Sequence, residues 1–99
     1  MDSILSLLGL AQKAGKIASG EFATEKSIKA GRAYLVIVSE DASDNTKKKM
    51  RQMTEYYEVP LYIHGEKETL GRCIGKGERS MLAILDAGFA KAVEKKRKD

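Results

Sequence analysis

The chain has 99 residues, of which 42% are hydrophobic and 32% are charged, and its formal net charge is +4. This length fits one domain with a single hydrophobic core, and the composition lies outside the disordered class. No apolar run approaches the roughly 18 residues that cross a membrane. The single cysteine and single histidine exclude an internal disulfide and a structural zinc site. We therefore expect a cytoplasmic protein from a reducing compartment.

Positive charge is concentrated at the C-terminus. The last nine residues carry a net charge of +3, which leaves only +1 for the other 90. The basic balance is therefore weak support for a nucleic-acid partner when taken alone. We expect residues 1–94 to form one domain and residues 95–99 to form a mobile, charged tail.

The first half of the chain alternates between predicted helices and strands. Apolar residues at helical spacing predict a first helix over residues 3–14, and a short extended segment follows over residues 16–19. A second helix is predicted to start at Glu21 and to end at Gly31. Acidic residues in its first turns interact favourably with the positive end of the helix dipole. The continuous apolar run over residues 34–38 predicts a strand that is covered on both faces.

The second half continues this alternation. It contains a third helix capped near Ser43, a third strand over residues 61–64, a short helix ending at Gly75, a fourth strand over residues 81–85 and a last helix capped by Asp86. Helices that alternate with buried strands predict an α/β protein. We expect a three-layer α/β/α sandwich, in which helices cover both faces of one four-stranded mixed sheet.

The second helix carries the first candidate binding surface. Phe22, Lys26 and Lys29 share one of its faces, and Thr24 and Ile28 share another. A basic face near a helix N-terminus can bind a phosphate, because free backbone N–H groups and ammonium groups point the same way. The alternative is a solvated face with Phe22 packed against the neighbouring strand, and the pattern alone favours that alternative.

The segment from Gly71 to Gly77 superficially resembles a phosphate-binding P-loop. Its glycine spacing is too short, and Gly77 replaces the hydroxyl residue that would hold magnesium. We therefore do not expect nucleotide hydrolysis. A glycine-rich turn that carries Arg72, Lys76 and Arg79 still allows the backbone to approach an RNA closely.

The remaining chemistry-bearing residues do not indicate an enzyme. Glu40 and Asp41 follow the buried strand and could hold a metal, but no third ligand is evident, so a strand-end cap is favoured. His64 lacks an identifiable serine or cysteine nucleophile as a partner. Cys73 belongs to an apolar set at helical spacing, which indicates core packing. We predict no catalytic residues, no cofactor and no metal.

Several short motifs occur in the order and spacing of a known family. They are Gly20 followed by Lys26, the run from Gly31 to Asp41, the pair Val59-Pro60, and the run from Leu70 to Gly75. On these motifs the chain resembles the kink-turn-binding ribosomal proteins of the L-seven-Ae and L-thirty-e type. The resemblance covers nearly the whole chain and is greatest to the short bacterial members.

The resemblance implies a binding surface where the second helix, the loop after Glu40-Asp41 and the loop after Gly75 converge. In such proteins the RNA is a sharply bent internal loop flanked by sheared G·A pairs. Helix residues recognise guanine edges, and the later loop covers an extruded nucleotide. From the resemblance and the local sequence patterns, we predict that the following residues bind RNA: Gly20, Glu21, Phe22, Lys26, Lys29, Glu40, Asp41, Lys67, Arg72, Lys76 and Arg79.

The chain departs from the family at one motif. Well-known members carry Asn-Glu-x-x-Lys in the second helix, but the first two positions are Phe22 and Ala23 here, and only Lys26 remains. Lys26 can donate to a guanine, whereas Phe22 cannot form a hydrogen bond. Glu21 could substitute as an acceptor, although it lies too early in the helix to replace either missing residue directly. We therefore expect weaker or differently selective binding of kink-turn RNA.

We thus predict a monomer that binds structured RNA, such as ribosomal RNA, and that has no small-molecule substrate and no membrane partner. One alternative is a protein-interaction module of the same fold with weakened RNA recognition. Another is a small enzyme, or the detached substrate-binding domain of an RNA-modifying methyltransferase.

Overall fold

The computed structural model describes residues 2–98. In this range the elements follow in the order α1 (Ser3–Lys13), β1 (Ile17–Ser19), α2 (Glu21–Lys29), β2 (Leu35–Val38), α3 (Asp44–Tyr56), β3 (Leu61–Ile63), α4 (Lys67–Cys73), β4 (Met81–Ile84) and α5 (Ala87–Lys98). Each predicted helix and strand is present. The ends differ by a few residues at most, because caps and turns decide where an element stops.

The four strands form one mixed sheet in the order β1-β4-β2-β3. Strand β4 runs antiparallel to both β1 and β2, and β2 runs parallel to β3. The central strands β2 and β4 are buried along their whole length, whereas the edge strands are half-buried. The continuous apolar runs in the sequence therefore mark the two central strands, as both of their faces are covered.

Helices pack on both faces of the sheet. Because side chains alternate along a strand, β2 and β4 each supply two separate apolar cores. On one face, α1, α4 and α5 contribute Leu8, Leu70 and Val93 to a core with Leu35, Ile37, Leu82 and Ile84. On the other, α2 and α3 contribute Ile28 and Met50 to a core with Val36, Val38, Met81 and Ala83. The predicted three-layer sandwich is confirmed.

The strand directions bring four chain segments to one end of the sheet. The last residues of β1, β2 and β3 lie at the same end as the first residue of β4, and we call this end the loop edge. Two backbone hydrogen bonds tie it together: Gly20 N–H donates to the Met81 carbonyl at 3.0 Å, and Ser39 N–H donates to the Ser80 carbonyl at 2.8 Å. The N-termini of α2 and α4 and the loop over residues 75–80 therefore meet there.

The C-terminal helix extends further than the sequence predicts. Helix α5 continues to Lys98, past the boundary expected at residue 94. The Arg97 guanidinium lies 4.7 Å from the centroid of the Tyr62 ring and donates to the Ile63 carbonyl at 3.3 Å. The expected mobility of residues 95–98 stays a prediction. Residues 1 and 99, which the predicted domain and tail include, lie outside the described residues.

Candidate nucleic-acid interface

The two faces of α2 are arranged as the sequence predicts. Thr24 and Ile28 are buried in the sandwich at 0% and 1% exposure. Lys26 and Lys29 are exposed on the opposite face, and Phe22 stands among them with 82% of its surface exposed. The alternative in which Phe22 packs against the neighbouring strand is therefore wrong.

Gly20 sets the direction in which α2 leaves the sheet. Its φ of +91° lies in the left-handed region, which side chains disfavour, and this conformation turns the chain directly from β1 into α2. Its carbonyl accepts the first helical hydrogen bond, from Thr24 N–H at 3.0 Å. Because glycine has no side chain to cap the first turn, the free N–H groups of that turn face the loop edge.

Arg79 connects the start of α2 to the glycine-rich loop. Its Nε donates to Ser19 Oγ at 3.3 Å, and its backbone N–H donates to the Lys67 carbonyl at 3.0 Å. A shallow cleft lies between the two segments and is lined by Ser19, Gly20, Glu21, Phe22, Ala23, Glu78, Arg79 and Ser80. The structure thus brings α2 and the loop after Gly75 together, which is the arrangement that the family resemblance implies.

The Glu40-Asp41 pair holds the fold together at the same edge. Asp41 Oδ1 accepts a hydrogen bond from Lys67 N–H at 2.9 Å, so this carboxylate caps the first turn of α4. Desolvation opposes ionisation of Asp41, but hydrogen bonds led by that of Lys67 outweigh it and lower the carboxyl pKa. The Glu40 carbonyl accepts from Lys47 Nζ at 2.6 Å. The structure thus gives Asp41 a capping role, as the sequence favours, but at the start of helix α4 rather than at the end of the strand.

Among residues 2–98, no group of three or more histidine, cysteine, aspartate or glutamate side chains is close enough to hold an ion. None of the helices in that range is long and apolar enough to cross a membrane.

Three of the nominated basic residues lie further from the start of α2. Lys29 is the last residue of α2, about 10 Å along the helix axis from Phe22. Arg72 is near the end of α4 and pairs with Glu68, one turn earlier. Lys76 is exposed in the glycine-rich loop, and its backbone N–H donates to the Gly71 carbonyl at 2.8 Å. None of these three residues lines the cleft between α2 and the loop.

Lys49 of α3 is a charged neighbour of α2 that the sequence does not reveal. Its Nζ lies 3.0 Å from Glu21 Oε2 and 2.9 Å from Glu25 Oε2. Hydrogen bonds from Lys49 lower the pKa of Glu21, and those of Glu25 and Glu21 raise the pKa of Lys49. Glu21 is therefore paired with Lys49 through one carboxylate oxygen, and its role as an acceptor for RNA stays a prediction. Lys26, in contrast, forms no ion pair with any of the described residues.

Beside Phe22 there is a second cleft, on the side of α2 that faces the edge strand. Small and apolar residues line it, namely Ala18, Ala23, Ala30 and Leu85, together with Lys26 and Arg32. Phe22 borders this cleft and the first one, and it also borders an open groove along the outer face of α2. That groove is lined by Glu21, Glu25, Lys26, Lys29 and Ala30.

These features define the molecule as a small α/β/α protein in which a helix with two exposed lysines and a glycine-rich loop meet at one edge of the sheet. Residues 2–94 match the model of the family described as ribosomal protein L7Ae/L30e/S12e/Gadd45. The chain belongs to this family, which confirms the resemblance seen in the sequence.

Relatives and solved structures support the assignment. The chain is 48% identical over 84 residues to the RNA-binding protein YlxQ of Bacillus subtilis (strain 168), covering 85% of this chain and 84% of the relative. It is 34% identical over 89 residues to the large ribosomal subunit protein eL30 of Tetrahymena thermophila, covering 88% and 86%. A protein of unknown function from Bacillus halodurans C superposes with a TM-score of 0.95 at 37% identity over 100% of both chains. The Giardia lamblia 15.5kD RNA binding protein shares the fold, with a TM-score of 0.79 at 24% identity over 93% and 79%.

Proposed function

We propose that this protein binds structured RNA of the kink-turn type through α2 and the loop over residues 75–80. The observation that carries the proposal is the junction of these segments, where Lys26 is exposed beside Phe22 and Arg79 ties the loop to the end of β1. Relatives that are named as an RNA-binding protein and as a ribosomal subunit protein support it.

Each group at the junction has a role in the proposed complex. Lys26 donates to the O6 or N7 atom of a guanine, because an ammonium group suits these paired acceptors. The uncapped N–H groups of the first turn of α2 and the remaining guanidinium donors of Arg79 bind phosphates. These contacts fix the position of a bent RNA, whose shape and splayed bases provide the specificity.

We propose no catalytic role for the two residues whose chemistry is most reactive. His64 Nε2 lies 3.0 Å from Asp2 Oδ2, so this ring is paired with a helix cap. The Cys73 thiol donates to the Leu70 carbonyl at 3.1 Å, and desolvation raises its pKa to about 11. We propose that the protein is monomeric and cytoplasmic and that it uses no cofactor and no small-molecule substrate. Its likeness to a large ribosomal subunit protein supports ribosomal RNA as the class of target.

The decisive experiment compares two RNAs that differ only in the sheared G·A pairs. We expect tighter binding to an intact kink-turn than to a version in which these pairs are disrupted. Lys26→Ala should cost about 1–3 kcal/mol of binding free energy on the intact kink-turn. Its matched control is Lys91→Ala, an exposed lysine of α5 in the opposite layer. Equal affinity for both RNAs, or equal effects of the two variants, would contradict the proposal.

A further inference from the structure

Phe22 has a large aromatic side chain that belongs to neither apolar core of the fold. It is 82% exposed, although the apolar cores on both faces of the sheet are complete without it. A single exposed apolar residue is ordinary, but this one stands on a helix face that is otherwise charged. It also borders both clefts at the junction of α2 with the glycine-rich loop.

The surroundings of Phe22 leave space for a flat group. Ala23, Ala30, Ala18 and Leu85 line the cleft beside it, and the three alanines project little from the backbone. A planar ligand that stacks on the ring would therefore also cover apolar surface in this cleft. Such an arrangement suits an aromatic ligand better than a bulky aliphatic one.

The charge around Phe22 indicates what such a ligand carries. Lys26 lies one helical turn further along the same face, Arg32 lines the same cleft, and Arg79 lines the other cleft. The acids nearby are Glu21 and Glu25, which share Lys49, and the exposed Glu78, which lines the same cleft as Arg79. Because Lys26, Lys29, Lys49, Arg32 and Arg79 outnumber these acids, the surroundings complement a flat group that has negative charges on both sides.

We infer that Phe22 is a stacking platform for one unpaired nucleobase, with the phosphates on either side of that base bound by Arg32 and Arg79. This inference rests on the proposed RNA-binding function and specifies how it is achieved. An unpaired base joins a flat, apolar face to flanking phosphates, which is the combination that the cleft and its cations complement. Stacking accepts any base, so the protein selects an RNA by the presence of the unpaired nucleotide rather than by the identity of that nucleotide.

The first experiment measures the affinity of Phe22 variants for a kink-turn RNA. Phe22→Ala and Phe22→Leu should each weaken binding about 5- to 150-fold, because both remove the aromatic face. Phe22→Trp should bind within a few-fold of the parent. The matched control is Tyr56→Ala, since Tyr56 is 79% exposed at the far end of α3. If Phe22→Leu binds as well as the parent, the stacking inference is overturned.

A second experiment identifies the base. Each unpaired nucleotide of the RNA is replaced in turn by an abasic site, and the loss of affinity is measured for the parent and for Phe22→Leu. We expect one position at which the abasic site weakens the parent at least about five-fold but scarcely affects Phe22→Leu, because the same contact has already been removed. The other three bases should be tolerated at that position. If every abasic site affects both proteins equally, the inference fails.

The proposed function and this inference can fail separately. If Lys26→Ala weakens kink-turn binding but Phe22→Leu does not, the protein binds RNA without stacking on Phe22. A protein partner would then become the better explanation for the exposed ring. If neither substitution changes the affinity, both proposals fail.

Discussion

Gly71 lies so close to Gly77 that a Cβ atom on Gly71 would overlap the Gly77 carbonyl oxygen. Gly71 is buried within α4, and Gly77 belongs to the glycine-rich loop. The obstructing atom is backbone rather than the end of a flexible side chain, so only a shift of the loop or the helix could relieve the overlap. This contact holds the loop against α4 two residues before Arg79.

Gly71→Ala should therefore destabilise the protein and displace the loop. We expect a loss of about 1–3 kcal/mol in the free energy of unfolding, measured in urea, because the added methyl group overpacks a tight contact. Affinity for RNA should also fall. The matched control is Gly77→Ala, since a Cβ there would meet only Arg79 Nη1, at 4.0 Å. Equal stability of the two variants would show that the loop can move away at little cost.

Lys49 pairs with both Glu21 and Glu25, and these ion pairs should influence RNA affinity although Lys49 does not belong to the proposed site. Lys49→Ala would release the carboxylates of Glu21 and Glu25 beside the basic face of α2. RNA affinity should fall several-fold at low salt and less at high salt, because exposed charges are screened by ions. The free energy of unfolding should change by less than about 1 kcal/mol, as is usual for exposed ion pairs.

The control for Lys49→Ala is Lys48→Ala, which removes one positive charge from the preceding position of α3. Adding Glu21→Gln and Glu25→Gln to Lys49→Ala should restore the affinity. If Lys48→Ala weakens binding by the same factor, only the net charge of the protein matters. If the glutamine variants restore nothing, the released carboxylates are not the cause of the lost affinity.

Cys73 allows a pH-dependent test of its packing against the core. Desolvation, with the negative charge of Asp2 as a second cause, raises the thiol pKa from 9.0 to about 11. A raised pKa stabilises the folded state below pH 9, and this contribution is lost as the pH rises towards 11. The free energy of unfolding should therefore fall between pH 9 and pH 11 more steeply for the parent than for Cys73→Ala. At pH 8, a thiol reagent should react far more slowly with the folded than with the urea-unfolded protein.

Much of the fold follows from local patterns in the sequence. The continuous apolar run of β2 predicts a central strand, and the spacing of Thr24 and Ile28 predicts the buried face of α2. The pairing of Lys49 with Glu21 could not be predicted, because the two residues are 28 positions apart and meet only through the packing of α2 and α3. The hydrogen bond from Arg79 to Ser19 spans 60 positions. Contacts of this kind define the candidate site, so the sequence predicts which segments form it but not how their charges pair.

The basic end of α5 lies near the loop edge, and this position shapes the last prediction. Arg97 donates to the carbonyl of Ile63, the last residue of β3, so the cations of residues 95–98 gather at that end of the sheet. Three strand spacings, or about 14 Å, separate β3 from β1, where the proposed site begins. This distance exceeds the screening length at moderate salt, so these cations scarcely act on the part of an RNA that lies in the proposed site. We expect them to attract any RNA that approaches this end of the sheet, without contributing to recognition.

Removing residues 95–99 should weaken binding to a kink-turn and to a straight duplex by similar factors. Each phosphate contact contributes a slope of roughly −0.7 to −0.9 to a plot of log affinity against log salt, so the slope should become shallower for both RNAs. Thermal unfolding would check that the shortened protein still folds. A variant with Lys95, Lys96 and Lys98 changed to glutamine keeps Arg97 and its contact with Tyr62, and therefore separates the loss of charge from the loss of structure. If truncation instead weakened only kink-turn binding, and the glutamine variant did not, Arg97 would take part in recognition by holding β3 in place.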